Sequence, residues 1–224
     1  MTVESPLVCL TQLPLFYMSK IFKLAVLVSG YGSNLQAIID NIESNHLSAD
    51  IALVLSNVKN AFALERGKKH GLETIFLDPK VFANRDDYEN KMIEILQSKS
   101  IDLICLAGFM RILSKKFIQA FPKKIINIHP SLLPAFPGLN VQKKALEYGA
   151  KFSGCTVHFV NEEVDGGPII LQSTVPILDE DDTESLSGKI LEQEHIIYPE
   201  AIRLIIEKKL TFSGRRVLRK IKGN

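Results

Sequence analysis

Residues 23–42 read KLAVLVSGYGSNLQAIIDNI, and the order of residue types within them decides the fold. Lys23 to Val28 is a short aliphatic and β-branched run that stops at Ser29-Gly30-Tyr31-Gly32-Ser33-Asn34. Leu35, Ile38, Ile39 and Ile42 then recur at helical spacing, so the segment reads as strand, tight loop and helix. The alternation continues outward. Strand Ile51 to Leu55 precedes a helix from about Ala61 to His70 that Gly71 stops. Strand Thr74 to Leu77 precedes a helix from about Asn84 to Gln97, and strand Ile101 to Ala107 follows. Near-continuous apolar strands between amphipathic helices need cover on both faces, which a parallel sheet with helices on each side provides. The first half is therefore predicted to be doubly wound α/β.

After a short strand, Ile125 to Ile128, the texture changes to a Pro/Gly-rich loop, His129 to Leu139, and then a helix ending at Gly149. Two more strands, near Cys155 to Val160 and Ile169 to Val175, enclose the turn Asn161 to Pro168 and suggest an antiparallel C-terminal addition to the sheet. A final helix from about Thr183 to Glu207 is expected to turn Leu186, Ile190, Leu191, Ile196 and Ile197 inward. The division expected is an N-terminal arm over 1–22, one domain over 23–210 and a basic tail over 211–224. The tail reads as a solvated last turn, because so short a basic run is a weak nucleic-acid signal.

Composition narrows the function classes. A chain of 224 residues with 46% hydrophobic content can bury a sizeable core. Its net charge of +2 gives no global field for a nucleic-acid backbone or an anionic membrane, so an anionic substrate must be met locally. Cys9, Cys105 and Cys155 lie far apart without a CxxC or Cys/His ligand spacing, which argues against disulfides and structural zinc and fits a reducing cytoplasm. No apolar run approaches the roughly 20 residues that span a bilayer. Met1 to Tyr17 is partly apolar, but Glu4 replaces a positive n-region and Gln12 and Pro14 interrupt the run, so a signal peptide is not expected. Met18 is an alternative start.

Three segments carry chemistry. Gly30-Tyr31-Gly32-Ser33-Asn34 lies where a strand feeds a helix N-terminus, and its glycines, hydroxyl, amide and free helical N–H groups suit a monophosphate. It lacks the third glycine of a dinucleotide fingerprint and the lysine of a Walker loop. A purely structural turn remains an alternative. Asn127-Ile128-His129-Pro130 sits at the carboxyl end of a strand, where open α/β sheets bind ligands. Two residues apart, Asn127 and His129 point to the same side and can present an amide donor and an imidazole to one carbonyl. The alternative is a satisfied histidine at a rigid loop entrance. Asp165-Gly166-Gly167-Pro168 is a common turn device, and only proximity to His129 would make Asp165 catalytic, by favouring the imidazolium. His158 reads as a support or core histidine. A metal site from His129, His158 and Asp165 is conceivable on ligand type, but no HxH or HxxxH spacing supports it, so no metal is expected.

Taken in order, AVLVSGYGSNLQAII (25–39), LAGFMRIL (106–113), INIHPSLLPAFPGL (126–139), TVHFVNEEVDGGPIILQ (156–172) and QEHIIYP (193–199) closely resemble the phosphoribosylglycinamide formyltransferase family. The resemblance covers roughly Lys23 to Leu210. It implies a formyltransferase domain that moves a formyl group from 10-formyltetrahydrofolate to glycinamide ribonucleotide in purine synthesis, with small-molecule substrates and no nucleic acid or membrane partner. It puts the phosphate loop on Gly32, Ser33 and Asn34 and the catalytic set on Asn127, His129 and Asp165. Folate contacts fall on Met110, Arg111, Ile112, Leu113 and Asn127, with Arg85 near the folate tail. Gly108, Pro130 and Glu194 match ribonucleotide contacts. Tyr31 departs from the smaller or more polar residue of the family pattern. Methionyl-tRNA formyltransferase and formyltetrahydrofolate deformylase resemble the same core but add a C-terminal or an N-terminal domain for which this chain has no room. A non-catalytic phosphate-binding module is the alternative from another class.

Overall fold

The computed structural model describes residues 21–220. The 1–20 part of the expected arm and residues 221–224 of the expected tail lie outside the described residues. The chain alternates β1 (Phe22–Val28), α1 (Ser33–Glu43), β2 (Ala49–Ser56), α2 (Phe62–Lys69), β3 (Thr74–Phe76), α3 (Arg85–Ser98), β4 (Leu103–Leu106), α4 (Lys115–Ala120) and β5 (Ile125–His129). There follow α5 (Val141–Tyr148), β6 (Phe152–Phe159), β7 (Ile169–Pro176), α6 (Thr183–Ile206), β8 (Leu210–Ser213) and β9 (Arg216–Arg219). The main sheet has the order β3-β2-β1-β4-β5-β6-β7. Pairing is parallel from β3 to β5 and antiparallel from β5 to β7. This is the doubly wound sheet with an antiparallel addition that the periodicity predicts.

The alternation of side chains along the strands divides the core in two. Leu24, Val26 and Val28 of β1 and Ile126 and Ile128 of β5 pack with Leu35 and Ile38 of α1 and with α6. Ala25, Leu27 and Ile125 face the other way, onto Tyr88, Met92 and Leu96 of α3 and Phe117 of α4. Asn127 and His129 share the parity of Ile125, so they point to the α3/α4 side. The strand order reverses between β1 and β4, which opens a crevice at their carboxyl ends where such sheets place ligands.

Four features differ from the sequence reading. Ser114 caps an unanticipated helix, α4, by accepting from the Phe117 N–H. The strand expected over Ile101 to Ala107 pairs only over Leu103–Leu106. On α6 the buried stripe runs Leu186, Ile190, Glu194, Ile197, Ala201 and Leu204, and Ile196 is 61% exposed rather than inward. Ile196 lies two residues, about 200° of helical turn, from Glu194, so a charged residue on the stripe turns it out. The tail is not a solvated last turn: Leu210–Ser213 and Arg216–Arg219 pair as an antiparallel hairpin.

Candidate active site

Register builds the centre of the site. Asn127 pairs with His158, and His129 with Thr156, across the antiparallel β5–β6 ladder. Directly opposed side chains share a face, so four polar groups stand together where β5 ends. The His158 Nδ1–H donates to the Phe159 carbonyl at 2.9 Å, which leaves the neutral ring with a lone pair on Nε2. Asn127 Nδ2 donates to that Nε2 at 3.2 Å, and its second hydrogen is left for the cleft. Burial pushes the His158 imidazole below its ordinary pKa, against the opposing pull of the Phe159 carbonyl and Asp165, so the acceptor role holds near neutrality.

His129 is buried, and its Nε2–H donates to the Phe136 carbonyl at 3.0 Å. Its other nitrogen, Nδ1, faces Asp165 Oδ2 at 3.4 Å, and His158 Nε2 lies 3.8 Å from Oδ1 of the same carboxylate. The Gly138 N–H donates to Asp165 Oδ2 at 2.8 Å. The Pro-rich loop is therefore part of the site. Ser131 Oγ donates to the Ala135 carbonyl, Thr156 Oγ1 donates to the Ser131 carbonyl, and Gln172 Nε2 donates to the Leu133 carbonyl. These bonds hold the loop that presents Phe136 O and Gly138 N–H to the histidine and the aspartate.

A cleft of about 560 Å³ opens over this centre. Asn127, His129, Pro130, His158 and Asp165 line it, as do Gly108, Met110, Arg111, Ile112 and Leu113. Met110 and Ile112 are exposed and, with Leu139 and Val164, form an apolar mouth. Arg85 does not line the cleft. Its guanidinium donates to the Ile112 carbonyl at 2.5 Å and pairs with buried Glu89 at 2.9 Å, tying the 110–113 segment to α3. Glu89 also accepts from the Ser114 N–H and hydroxyl.

Gly32, Ser33 and Asn34 form a second, adjoining group at the N-terminus of α1, which has no side-chain cap. Gly32 has φ +76°, and a Cβ there would meet Ala63 Cβ at 2.6 Å, so glycine is required. The loop joins the cleft wall directly: the Ser29 N–H donates to the Gly108 carbonyl at 3.0 Å and the Met110 N–H to Ser29 Oγ at 2.7 Å. Asn34 Nδ2 donates to Glu194 Oε2 at 2.7 Å, while its Oδ1 is buried with no hydrogen-bond partner among the described residues. The side chain of Asn34 is thus committed to α6, and its backbone N–H is what the helix end offers an anion. Burial pushes the Glu194 carboxyl up to about 7, although the Asn34 donation works the other way. Tyr198 anchors the same helix by donating to the Leu106 carbonyl at 2.9 Å. Tyr31 points outward, stacked on Phe62 at 5.0 Å with the Arg66 guanidinium 4.5 Å from its ring centroid.

Sequence reasoning gave His158 only a supporting part and did not single out Glu89, Thr156 or Gln172. The signal for His158 is its place in TVHFV, where strand parity puts it beside Thr156. A second cavity, about 350 Å³, lies at the amino ends of β1 and β2 beside Lys23 and Asp50 and holds none of the predicted site residues. Among the described residues no group of three or more His, Cys, Asp or Glu side chains is placed to hold a metal ion.

The formyl transferase family model matches residues 22–202. Phosphoribosylglycinamide formyltransferase of Haemophilus influenzae is 48% identical over 188 residues, covering 84% of this chain and 89% of that protein. The trifunctional purine biosynthetic protein adenosine-3 of Drosophila melanogaster is 47% identical over 186 residues, 82% of this chain, which spans only 14% of that longer protein. The crystal structure of glycinamide ribonucleotide transformylase 1 from Symbiobacterium toebii superposes with a TM-score of 0.89 at 47% identity, covering 92% of this chain and 97% of that one. The chain belongs to the phosphoribosylglycinamide formyltransferases, within the formyl transferase family.

Proposed function

We propose that this protein transfers the formyl group of 10-formyltetrahydrofolate to the primary amine of glycinamide ribonucleotide, a step of purine synthesis. One observation carries the reading: Asn127 and His129 stand side by side on β5, with Asp165 Oδ2 3.4 Å from His129 Nδ1, in a cleft joined to a helix N-terminus. The acceptor amine attacks the formyl carbon, a C–N bond forms, and the carbonyl oxygen becomes negative. Collapse breaks the bond to the folate nitrogen. The amine loses one proton and the folate nitrogen gains one, so no enzyme nucleophile, redox partner or metal is required.

The residues divide this work. The second Nδ2 hydrogen of Asn127 and the Nδ1–H of protonated His129 stabilise the oxyanion, each such donor being worth about 3 kcal/mol. Because Nε2 is held by the Phe136 carbonyl, Nδ1 is the nitrogen of His129 that serves the reaction. Asp165, 3.4 Å from Nδ1, favours the imidazolium by its charge and, with water, moves the proton from the amine toward the leaving nitrogen. Gly32, Ser33 and the Asn34 backbone bind the phosphate. Gly108, Pro130 and Glu194 complete the ribonucleotide subsite, and Met110, Arg111, Ile112 and Leu113 hold the folate, braced by Arg85. The unpaired buried thiols of Cys105 and Cys155 support a reducing cytoplasm as the location. No helix among the described residues is long and apolar enough to cross a membrane. The partners proposed are small molecules, without nucleic acid.

The test is absorbance-monitored release of folate from 10-formyltetrahydrofolate with glycinamide ribonucleotide or with water alone. Release that needs the ribonucleotide supports the reading. Equal release with water would make the protein a deformylase and overturn it.

A further inference from the structure

The β8–β9 hairpin lies beyond residues 22–202 matched by the family model, yet its tip reaches the turn that carries Asp165. The two turn residues are Gly214, at φ +58°, and Arg215. Phe212 seats the hairpin: its ring packs on Phe159 at 5.2 Å, and the Lys123 ammonium lies 4.5 Å from its centroid. From there the Arg215 guanidinium donates to the Gly166 carbonyl at 2.5 Å and lies 4.0 Å from Glu163 Oε2.

The contact falls where the backbone needs holding. Asp165 sits at φ +52°, a left-handed conformation that an aspartate keeps only when its surroundings enforce it. The flanking peptides have little room: a Cβ on Gly166 would meet Glu163 Cβ at 2.5 Å, and one on Gly167 would meet the Phe159 carbonyl oxygen at 1.7 Å. Within the turn the Gly166 N–H donates to the Glu163 carbonyl at 3.1 Å. Among the described residues the Gly166 carbonyl has one other partner, Asn161 Nδ2, at a long 3.4 Å. Its short, charge-assisted bond comes from Arg215. The Gly166 N–H bond to Glu163 holds the peptide immediately after Asp165, and the Arg215 bond holds the next one, Gly166–Gly167; together they set the backbone from which the carboxylate points toward His129 Nδ1.

We propose that Arg215 is a positioning residue for the Asp165 carboxylate, so that the hairpin acts as a strut of the catalytic turn. This rests on the formyl-transfer reading above. Because the guanidinium is largely exposed, its contribution to overall stability is small while its effect on the geometry of the site is specific.

Steady-state kinetics and thermal melting of the full chain test it. Arg215→Ala is expected to lower kcat by about 3- to 10-fold, since small displacements of a catalytic group are costly. The KM for the ribonucleotide should stay within about twofold and the melting temperature within about 2 °C, as for a surface substitution. Arg215→Lys, which keeps a charged donor of similar reach, should recover part of the lost rate. Wild-type kcat in Arg215→Ala overturns the proposal, as does a loss accompanied by a lower melting temperature and not recovered by lysine. His129→Ala run alongside separates the two claims. If the unaltered protein transfers no formyl group, the functional reading fails; if it does, His129→Ala does not and Arg215→Ala is unimpaired, the strut alone fails.

Discussion

Asn127 and His129 stand on a strand, in register with His158 and Thr156, whereas Ser33 and Asn34 stand at the first turn of a helix whose partner is a buried carboxyl. On the strand, hydrogen bonds fix the direction of each side chain, and what remains is one Asn127 N–H and one His129 nitrogen aimed at the cleft. At the helix end the backbone supplies the donors, and the polar pair beneath it keeps an Asn34 Oδ1 without a partner among the described residues and a carboxyl raised to about 7. The first region suits charge that develops during reaction, where preorganised donors matter most. The second suits a charge the ligand already carries. The two should therefore fail differently: damage at β5 should appear in kcat, and damage at α1 in the KM for the ribonucleotide.

The largest effect is expected from His129→Ala, which removes an oxyanion donor and an acid together. It should lower kcat by about 100- to 1000-fold with the far-ultraviolet circular dichroism unchanged. Wild-type-like turnover in the folded variant would break the catalytic half of the comparison. Asp165→Asn should lower kcat by about 100-fold, because an amide neither favours the imidazolium nor relays a proton as a carboxylate does. Its KM for the ribonucleotide should hold, and a change confined to that constant would move Asp165 to the binding half.

Glu194 sharpens the other half through stability. Its carboxyl rises from the ordinary 4.5 to about 7 on folding, so between those values the folded chain holds a proton that the unfolded chain has released. Stability from this group is full below about 4.5 and is lost as the pH rises to about 7. Asn34 on α1, Cys155 on β6 and Tyr198 on α6 face it; burial raises the thiol to about 12 and the phenol well above its ordinary value, so neither titrates in this window. Glu194→Gln should remove the slope, gaining about 2 kcal/mol over the wild-type chain at pH 8 relative to pH 5, measured by urea unfolding at each pH. His158 acts with the opposite sign, since burial depresses its pKa, but it is common to both chains and cancels in the difference. Parallel pH profiles would show that the carboxyl is not held as described.

The smallest effect is expected from Ser33→Asp. A carboxylate at the first helical position suits the helix dipole, so the fold should persist, but it repels a bound phosphate. The KM for the ribonucleotide should rise by about tenfold, with that for the folate little changed. Equal changes in both constants would place the phosphate elsewhere.

Period and punctuation made the first half of the fold legible, because strands such as Leu24 to Val28 are buried on both faces and helices such as α1 show one apolar stripe. The same parity put Asn127 and His129 on one side of β5 before any partner strand was known. What the residues alone left open depends on chain segments far apart in sequence. Asp165 is 36 residues beyond His129, and only the β5–β6 pairing and the Gly138 N–H bring it to Nδ1. His158 is decided by cross-strand register rather than by its neighbours. Ile196 turns outward because buried Glu194 takes a place on the stripe of α6, which hydrophobicity by itself does not signal. The hairpin was missed because Ser213-Gly214-Arg215 lies in a run whose basic character masks a turn with β-branched and aromatic flanks, Phe212 and Val217.

On the proposed function, the cleft over β5 moves a formyl group between two bound small molecules. The most direct measurement is the stoichiometry of a single incubation with isotopically labelled 10-formyltetrahydrofolate and glycinamide ribonucleotide, with the products separated and counted. One labelled formyl group is expected on the ribonucleotide amine for each folate released, with no labelled formate. Labelled formate in place of the formylated ribonucleotide would contradict it.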